Sequence, residues 1–313
     1  MNKQILDLES FKFRRLLTRL YDPYKNNTMY GNNILSDETG GIEIGKLLES
    51  DAPCMIGRIG CSEVLAVYSG LEIKYGLRKH IDKTASELVC TNAGFFPKTD
   101  NAICKFGDVY TESASQCDYF AYLLHHHIDY FVHKYCDPNV TVGTLRSLEP
   151  YYCTKPWTAY LEGKKVLVVH PFEKSIRHQY ENNRDKLFEK KEYLPEFELK
   201  TVKAVQTIGD NTAGFNDWFE ALEFMKDQIS KVDFDIAVIG CGAYGFPLAA
   251  YIKKELKKKS IVLGGATQIL FGIKGSRWTN HPVISEFFNE YWITPTRDEV
   301  PQGYRHIENG CYW

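Results

Sequence analysis

The sequence predicts an α/β protein with a Rossmann-like, mostly parallel sheet flanked by helices. Two apolar runs, 236–239 and 261–263, enclose a glycine-rich turn and an apolar-periodic helix, which is the order strand, turn, helix and parallel strand. A third run, Val166–Val169, is apolar without interruption, as expected of a strand that is covered on both faces of a parallel sheet.

Length and composition set the size of the fold. The chain has 313 residues, 44% of them hydrophobic, which suffices for a large core. No repeat or low-complexity linker divides it, so we expect a single domain over residues 51–313, with the last residues packed on it. An N-terminal helical extension over residues 1–50 should precede it, with a helix from Leu6 to about Tyr21. The net charge of −2 gives no electrostatic reason to expect nucleic acid as a partner.

Cysteine usage and the start of the chain bear on the compartment. Nine cysteines are scattered without a C-x-x-C pair, a pattern typical of reduced thiols. The charged first residues do not resemble a signal peptide, and no apolar run reaches the roughly eighteen residues of a membrane span. We therefore expect a cytoplasmic protein without a transmembrane segment.

The glycine turn has the spacing of a diphosphate-binding loop. Gly240, Gly242 and Gly245 match G-x-G-x-x-G between a strand and a helix. Glycine lets a ligand approach the backbone N–H groups, and the helix that begins there adds the positive end of its dipole. The alternative is a purely structural turn. The next run ends in Gly264 and Gly265 instead of the acidic residue that would hold an NAD ribose.

Residues beyond that run could extend the site. Thr267 and Gln268 lie just past a predicted strand end, where they could contact a base, a ribose or a phosphate. Arg277 could clamp a phosphate, and Trp278 could stack on a ring. The alternative is a loop that is packed by its tryptophan.

The segment 54–68 predicts a strand, a glycine turn and a helix. Arg58 and Gly60 end the strand-like part, and Glu63 follows in the first helical turn. Because open α/β sheets bind ligands at the carboxyl ends of their strands, we expect these residues to face a cleft. The alternative is that Ser62 caps the helix and Glu63 only complements the helix dipole.

Charged residues follow two further apolar runs and should lie along the same cleft. They are Arg146, Glu149, His170, Glu173 and Lys174. His170 or Glu173 could take a proton near neutral pH, and Lys174 could neutralise an anion. The alternative for His170 is a hydrogen bond to a neighbouring backbone group.

The pattern of Arg58-Ile59-Gly60-Cys61-Ser62-Glu63 and the late unit 235–265 resembles the GT-D fold glycosyltransferases. That family has an R-F-G-D-G-E motif early in the chain and a strand-G-x-x-A-x-x-L-A helix unit late. The resemblance covers roughly residues 50 to 280 and rests on short motifs. It implies one Rossmann-like domain that transfers a sugar from a nucleotide-diphosphate sugar to a glycan or lipid-linked acceptor, as in polysaccharide biosynthesis. A lipid-linked acceptor would allow peripheral membrane association.

The resemblance also implies a divalent cation, Mn²⁺ or Mg²⁺, held against the diphosphate by the acidic residues of the early motif. Glu63 matches the family's glutamate and is the candidate ligand, but Cys61 stands where the family has aspartate. Hard cations prefer carboxylate oxygen to thiol, so we favour neutralisation of the diphosphate by Arg58, Arg146 and Lys174. Recruitment of Glu149 or Glu173 as a replacement ligand stays open.

The tract His125-His126-His127 lacks the spacing of three or four residues that helical metal ligands need.

Two other function classes remain open. An NAD(P)-dependent or other nucleotide-binding Rossmann enzyme would use the glycine turn, and the missing acidic residue argues against NAD. A catalytically silent sugar-nucleotide-binding protein would explain Cys61.

Overall fold

The structure is a computed structural model, and the residues that it describes are 28–29, 32–123, 126–208 and 211–313. The helix expected between Leu6 and Tyr21 lies outside these residues. The first described elements, β1 (Thr28–Met29) and β2 (Asn32–Asn33), pair with each other in antiparallel orientation.

Among the described residues, seven further strands form one sheet in which every neighbouring pair is parallel. They are β3 (Met55–Gly57), β4 (Tyr119–Tyr122), β5 (Thr141–Thr144), β6 (Lys165–His170), β7 (Glu198–Lys203), β8 (Ile236–Ile239) and β9 (Lys259–Val262). Their order across the sheet is β5-β4-β3-β9-β8-β6-β7. The predicted Rossmann-like α/β fold is therefore confirmed.

The sheet has a hydrophobic core on each face. Side chains alternate between the two faces of a strand, and in β6 Val166 and Val168 belong to one core while Leu167 and Val169 belong to the other. The expectation of a strand covered on both faces is confirmed. Strand β6 is nevertheless one position from the edge of the sheet, because an apolar run reports burial of the faces and not the identity of neighbouring strands.

Helices cover both faces of the sheet. One face packs against α2 (Cys61–Lys74), α3 (Lys83–Ala93), α4 (Asp100–Ala114), α5 (His126–Tyr135), α7 (Trp218–Ser230) and α8 (Gly245–Lys254). The other face packs against α1 (Asp37–Glu49), α6 (Glu173–Leu187) and α9 (Thr267–Leu270). None of these helices in the described part of the chain is long and apolar enough to cross a membrane.

Ile34, Leu35 and helix α1 pack against the sheet. Leu35 forms a parallel bridge with Gly143 beside β5, and its N–H donates to the Val142 carbonyl at 2.9 Å. Ile44 and Leu48 of α1 lie in the core that also holds Ile56 of β3. Helix α1, which precedes residue 50, therefore shares a core with the sheet.

Helix starts fall into two groups. In α1, α3, α4 and α7 the residue before the helix, which is Ser36, Asp82, Thr99 or Asp217, accepts a backbone N–H with its side chain. Helix α2 follows Gly60 and the short 3₁₀ turn before α8 follows Cys241, and neither residue forms a side-chain cap. These two uncapped starts lie at the carboxyl ends of β3 and β8.

Candidate active site

A cavity of about 390 Å³ opens where the winding of the sheet reverses. The chain runs from β3 to β4 and β5 on one side, whereas β9 borders β3 on the other side. Ligands of open α/β sheets bind at such a switch point, beyond the carboxyl ends of the strands. The residues that follow β3, β6, β8 and β9 contribute to the walls of this cavity.

The early motif lies in this cavity. Arg58, Gly60 and Glu63 all line it, with Gly60 directly before α2 and Glu63 in the first turn of that helix. A Cβ on Gly60 would approach Oε2 of Glu63 to 2.2 Å, so a glycine is needed for the carboxylate to fold back over the turn. Burial raises the pKa of Glu63, while its own backbone N–H and the neighbouring Arg58 oppose the shift. Glu63 therefore both complements the start of the helix and faces the cavity.

Arg58 provides an available cation at the switch point. Gly264 has a φ of +69°, and a Cβ there would lie 2.9 Å from the Arg58 guanidinium, which packs directly over the backbone of this residue. Within the described residues the guanidinium has no hydrogen-bond or ion-pair partner, although Glu63 and Glu149 are within electrostatic range. Its donors are therefore available to an anion that enters the cavity.

The late glycines divide into two roles. Gly240 and Gly242 line the cavity. A Cβ on Gly240 would lie 2.6 Å from the Gly264 carbonyl oxygen and 2.7 Å from His170, so only glycine allows these strand ends to converge. Gly245 lies outside the lining, and its Cβ would be 3.3 Å from Val262, which means that it packs α8 onto β9.

In the described part of the chain, three helix starts without a side-chain cap border the cavity. They belong to α2, to the 3₁₀ turn Gly242–Tyr244 before α8 and to the 3₁₀ turn Gly264–Ala266 before α9. The first N–H groups of a helix have no partner inside the helix, and the dipole adds a partial positive charge. These starts and Arg58 together form an environment suited to a diphosphate.

His170 lines the cavity as a neutral hydrogen-bond donor. Its Nδ1 accepts the Phe172 N–H at 3.0 Å, so the ring proton lies on Nε2. Burial lowers the pKa of His170 to about 3. The predicted role as a base is not favoured by this geometry, because Nε2 already carries a proton. The alternative hydrogen bond to the backbone is present.

Glu173 and Lys174 do not line the cavity. Helix α6 begins directly after Pro171 and Phe172, and its first turn points both side chains away from the cavity. Glu173 accepts a hydrogen bond from Thr201 at 2.5 Å, and Lys174 pairs with Asp298. The N–H groups of Lys174 and Ser175 donate to Glu299 at 2.8 and 3.3 Å, so the protein's own carboxylate occupies this helix start.

Three other predicted residues lie outside the cavity lining. Arg146 is exposed and packs over the Tyr152 ring at 5.1 Å. Glu149 lies near Arg58 and Arg146, and burial raises its pKa. Thr267 is fully buried beneath Gly240, and its Oγ1 has no hydrogen-bond partner among the described residues. The short turns after β5 and β9 direct these side chains away from the cavity.

The remaining predicted residues join the cavity to the segment 304–313. Gln268 lines the cavity, and its Nε2 donates to the Tyr312 carbonyl at 3.1 Å. Gly265 also lines it, with the Tyr312 ring packed where a Cβ would be. Arg277 lines it and donates to Tyr312 Oη at 2.9 Å. Trp278 is buried in the core, so the expected ring stacking is replaced by packing.

Some lining residues of the cavity were not predicted as site residues. They are Asn92, Gly94, Gln206 and Thr207, and Thr207 Oγ1 donates to the Gly94 carbonyl at 2.6 Å. These residues come from α3 and from the loop after β7. They form no motif in the sequence, and contacts between the two segments, including this hydrogen bond, bring them together.

The site does not suit a hard divalent cation. Among the described residues there is no cluster of three metal-ligating side chains. Glu63 provides one carboxylate, which already accepts its own N–H. Burial, and then the Glu63 charge, raise the pKa of the neighbouring Cys61 thiol, which keeps it protonated. A protonated thiol and one carboxylate do not fit the oxygen-rich coordination of Mn²⁺ or Mg²⁺.

Comparison of the chain with protein-family models, with curated proteins and with solved structures finds no match.

Proposed function

We propose that this protein is a glycosyltransferase that binds a nucleotide-diphosphate sugar in the switch-point cavity. The observation that carries the proposal is the meeting of two motifs far apart in the sequence. Arg58, Gly60 and Glu63 from the early motif and Gly240 and Gly242 from the late motif line one cavity. Both are the motifs on which the resemblance to GT-D fold glycosyltransferases rests.

The diphosphate would be neutralised without a metal ion. Arg58 is available, and its planar guanidinium can donate two parallel hydrogen bonds to phosphate oxygens. The helix starts at Gly60 and Gly242 add backbone donors. Nε2 of His170 adds a neutral donor on the same wall. Together they would stabilise the charge that develops on the leaving nucleotide diphosphate.

Glu63 is the best candidate for a general base. Its carboxylate lines the cavity, and its raised pKa makes it a stronger base than an ordinary glutamate. In the transfer step the acceptor oxygen would bond to the anomeric carbon, the bond from that carbon to the diphosphate oxygen would break, and Glu63 would take the hydroxyl proton. The acceptor would be a glycan or lipid-linked hydroxyl, and a lipid-linked acceptor would bring the protein to a membrane surface.

The test is a ligand panel read by thermal shift and followed by transfer assays. Nucleotide diphosphates and their sugar derivatives would be compared with NADH, each with and without manganese. A true donor should raise the melting temperature by mass action, with no need for manganese. Stabilisation by NADH alone would contradict the proposal.

A second candidate function is a sugar-nucleotide-binding protein without transferase activity. Cys61 favours it, because this thiol stands in place of the family's aspartate and burial keeps it protonated. A donor that stabilises the protein but is neither hydrolysed nor transferred, with a broad panel of acceptors, would support this candidate over the enzyme.

A further inference from the structure

We propose that Glu308 is an internal anion that occupies a second phosphate subsite at Arg277, and that a phosphate-bearing ligand displaces it. The inference rests on the proposed function, because it concerns how the same cavity accepts its diphosphate. It assigns the subsite to Arg277 and the competing group to the segment 304–313.

The first observation is the ion pair itself. A guanidinium nitrogen of Arg277 bonds to the Glu308 carboxylate, and both residues line the cavity. The two side chains are each 40% exposed, so the pair lies at the mouth of the cavity and not in the core. Both can therefore be reached by an anion that enters from solvent.

The second observation is the proximity of this pair to the diphosphate site. Arg277 donates to Tyr312 Oη at 2.9 Å, and its guanidinium carbon lies 4.5 Å from the centre of that ring. Arg58 and Arg277 both lower the pKa of the Tyr312 hydroxyl against the larger effect of its burial. Tyr312 is thus within electrostatic range of both guanidinium groups. Arg58 packs on Gly264 and the Tyr312 ring packs on the adjacent Gly265, so Arg58 and the Tyr312–Arg277 pair adjoin neighbouring residues, and each guanidinium can bind one phosphate group.

The third observation is the electrostatic position of Glu308. Its carboxylate acts on Glu63 across the cavity and contributes to the raised pKa of Glu63. A carboxylate bound to an arginine in a cavity suited to anions resembles the ligand group that such a site accepts. It also repels any other anion, so its departure would favour binding.

The fourth observation is that Glu308 can move without release of the whole segment. Glu308, Asn309 and Gly310 have φ values of +46°, +59° and +71°, and Glu308 is the one of the three whose residue type rarely adopts the left-handed region. The residues on either side of this turn are held separately. Ile307 is buried, and the Tyr312 carbonyl accepts Gln268 at 3.1 Å. A change of the turn can therefore release the carboxylate while its flanks stay docked.

The experiment uses inorganic pyrophosphate as the probe and isothermal titration calorimetry as the measurement. Glu308→Gln removes the competing charge with little change in size. We expect its pyrophosphate dissociation constant to be about two- to fivefold lower than that of the unmodified protein, since a part-exposed ion pair no longer has to be broken. Asp298→Asn is the matched control, because it removes one charge from a nearby ion pair with Lys174 that lies outside the cavity lining.

A third variant assigns the effect to Arg277. In the double variant Glu308→Gln with Arg277→Gln, we expect the gain in affinity to disappear. Equal or weaker binding by Glu308→Gln, an equal gain in Asp298→Asn, or a gain that survives without Arg277 would each overturn the proposal. So would the absence of pyrophosphate binding in all variants. Melting temperatures of each variant establish that it is folded, and Glu308→Ala repeats the test if Glu308→Gln does not fold.

The outcome is distinguishable from that of the proposed function. Tighter pyrophosphate binding by Glu308→Gln in a protein that binds no sugar nucleotide would support the subsite and contradict the transferase. A sugar nucleotide that binds the unmodified protein and Glu308→Gln equally well would support the transferase and contradict the displacement of Glu308.

Discussion

Arg58 and Glu63 show how two residues in one turn receive different properties from their surroundings. Arg58 packs on the backbone of Gly264 and keeps its donors available, whereas Glu63 loses hydration beside it. The loss of hydration disfavours the charged carboxylate, and the nearby guanidinium compensates for only part of this effect. The pair therefore combines an anion-binding group with a carboxylate of increased basicity.

Arg58→Lys should weaken binding of nucleotide diphosphates by about ten- to a hundredfold, since a lysine keeps the charge but loses the paired hydrogen bonds. Calorimetric titration would measure the change. Arg146→Lys is the control, because Arg146 is exposed and outside the cavity lining, and it should bind as tightly as the unmodified protein. Equal losses of affinity in the two variants would mean that the effect is not specific to the guanidinium of Arg58.

Glu63→Gln should lower kcat by about 10²- to 10⁴-fold if Glu63 is the base, with little change in donor affinity. In the unmodified protein the rate should fall as the pH drops through the pKa of Glu63, which burial raises above its ordinary value. A pH–rate profile with the identified donor would reveal this acidic limb. An activity that is independent of Glu63 would assign it only to the helix start.

The same raised pKa predicts how stability depends on pH. The folded state binds the Glu63 proton more tightly than the unfolded state, so this group contributes stability at low pH that is lost as the pH rises through the folded pKa. Glu63→Gln mimics the protonated form. Its melting temperature should exceed that of the unmodified protein at pH 8, and the difference should shrink towards pH 4. A constant difference across this range would contradict the assignment.

The helices that begin at the strand ends around the cavity differ in the groups that bind their first N–H groups. The starts of α2 and of the 3₁₀ turn before α8 have no side-chain cap, whereas the first turn of α6 binds Glu299. An uncapped start is a liability unless water or a ligand satisfies its N–H groups. This distribution explains why the segment after β8 belongs to the site and Glu173 and Lys174 do not.

Gly242→Ala should lower the free energy of unfolding. A glycine that served only to bind a diphosphate would instead affect ligand affinity alone. The φ of Gly242 is +56°, and a Cβ would lie 3.0 Å from the Ala93 carbonyl oxygen. Gly76→Ala is the control, since Gly76 has a φ of +70° and no atom of the described residues lies within 4 Å of where a Cβ would be. We expect a loss of about 1–2 kcal/mol for Gly76→Ala and about 1 kcal/mol more for Gly242→Ala by urea denaturation. Equal losses would exclude the steric contribution of Ala93.

Glu299→Gln should reduce the free energy of unfolding by about 1–3 kcal/mol, because the buried carboxylate accepts hydrogen bonds from the start of α6. Asp298→Asn breaks an exposed ion pair with Lys174 and weakens an exposed hydrogen bond with Thr296, and it should change stability by less than about 1 kcal/mol. Urea denaturation of both variants provides the measurement. A neutral Glu299→Gln would show that solvent can replace this cap.

At the scale of the whole molecule, one sheet separates two cores. Strands β3, β4, β6, β8 and β9 send alternate side chains into the two cores, and helices close both layers. The cavity lies at one edge of this sandwich, where β3 and β9 are neighbours. Strand β3 is buried along its whole length and β9 is buried from Ser260 to Val262, so the cavity rests on closely packed strands, which suits a site that must hold a ligand in a fixed orientation.

Val168→Ala and Val169→Ala test the double cover directly. The two side chains lie on opposite faces of β6, and each is at most 1% exposed. Both variants should lose about 2 kcal/mol in the free energy of unfolding, since each leaves a gap in a closed core. Lys203→Ala on the exposed side of the edge strand β7 should change it by less than about 0.5 kcal/mol. A small effect for either valine would mean that one face is open.

The sequence by itself determined the elements and the residues at their ends. Val166–Val169 identified a buried strand, Gly240 and Gly242 identified a turn at a strand end, and Arg58 with Glu63 identified another. These signals are local, because hydrophobic periodicity, glycine conformation and the positions of charges are properties of short segments. The parallel sheet follows from them, since neighbouring strands then end at one edge.

Only the tertiary structure decided which of these ends meet and which way their side chains point. The order β3-β9-β8-β6 brings Arg58 to Gly264, and a single helical turn directs Lys174 away from the cavity. His170 became a donor because Phe172 supplies an N–H to its Nδ1. Glu308 lines the cavity because the segment 304–313, which contains it and is distant in the sequence, packs against the site. Such contacts join residues far apart in the chain, and the sequence pattern around each one carries no record of its partner.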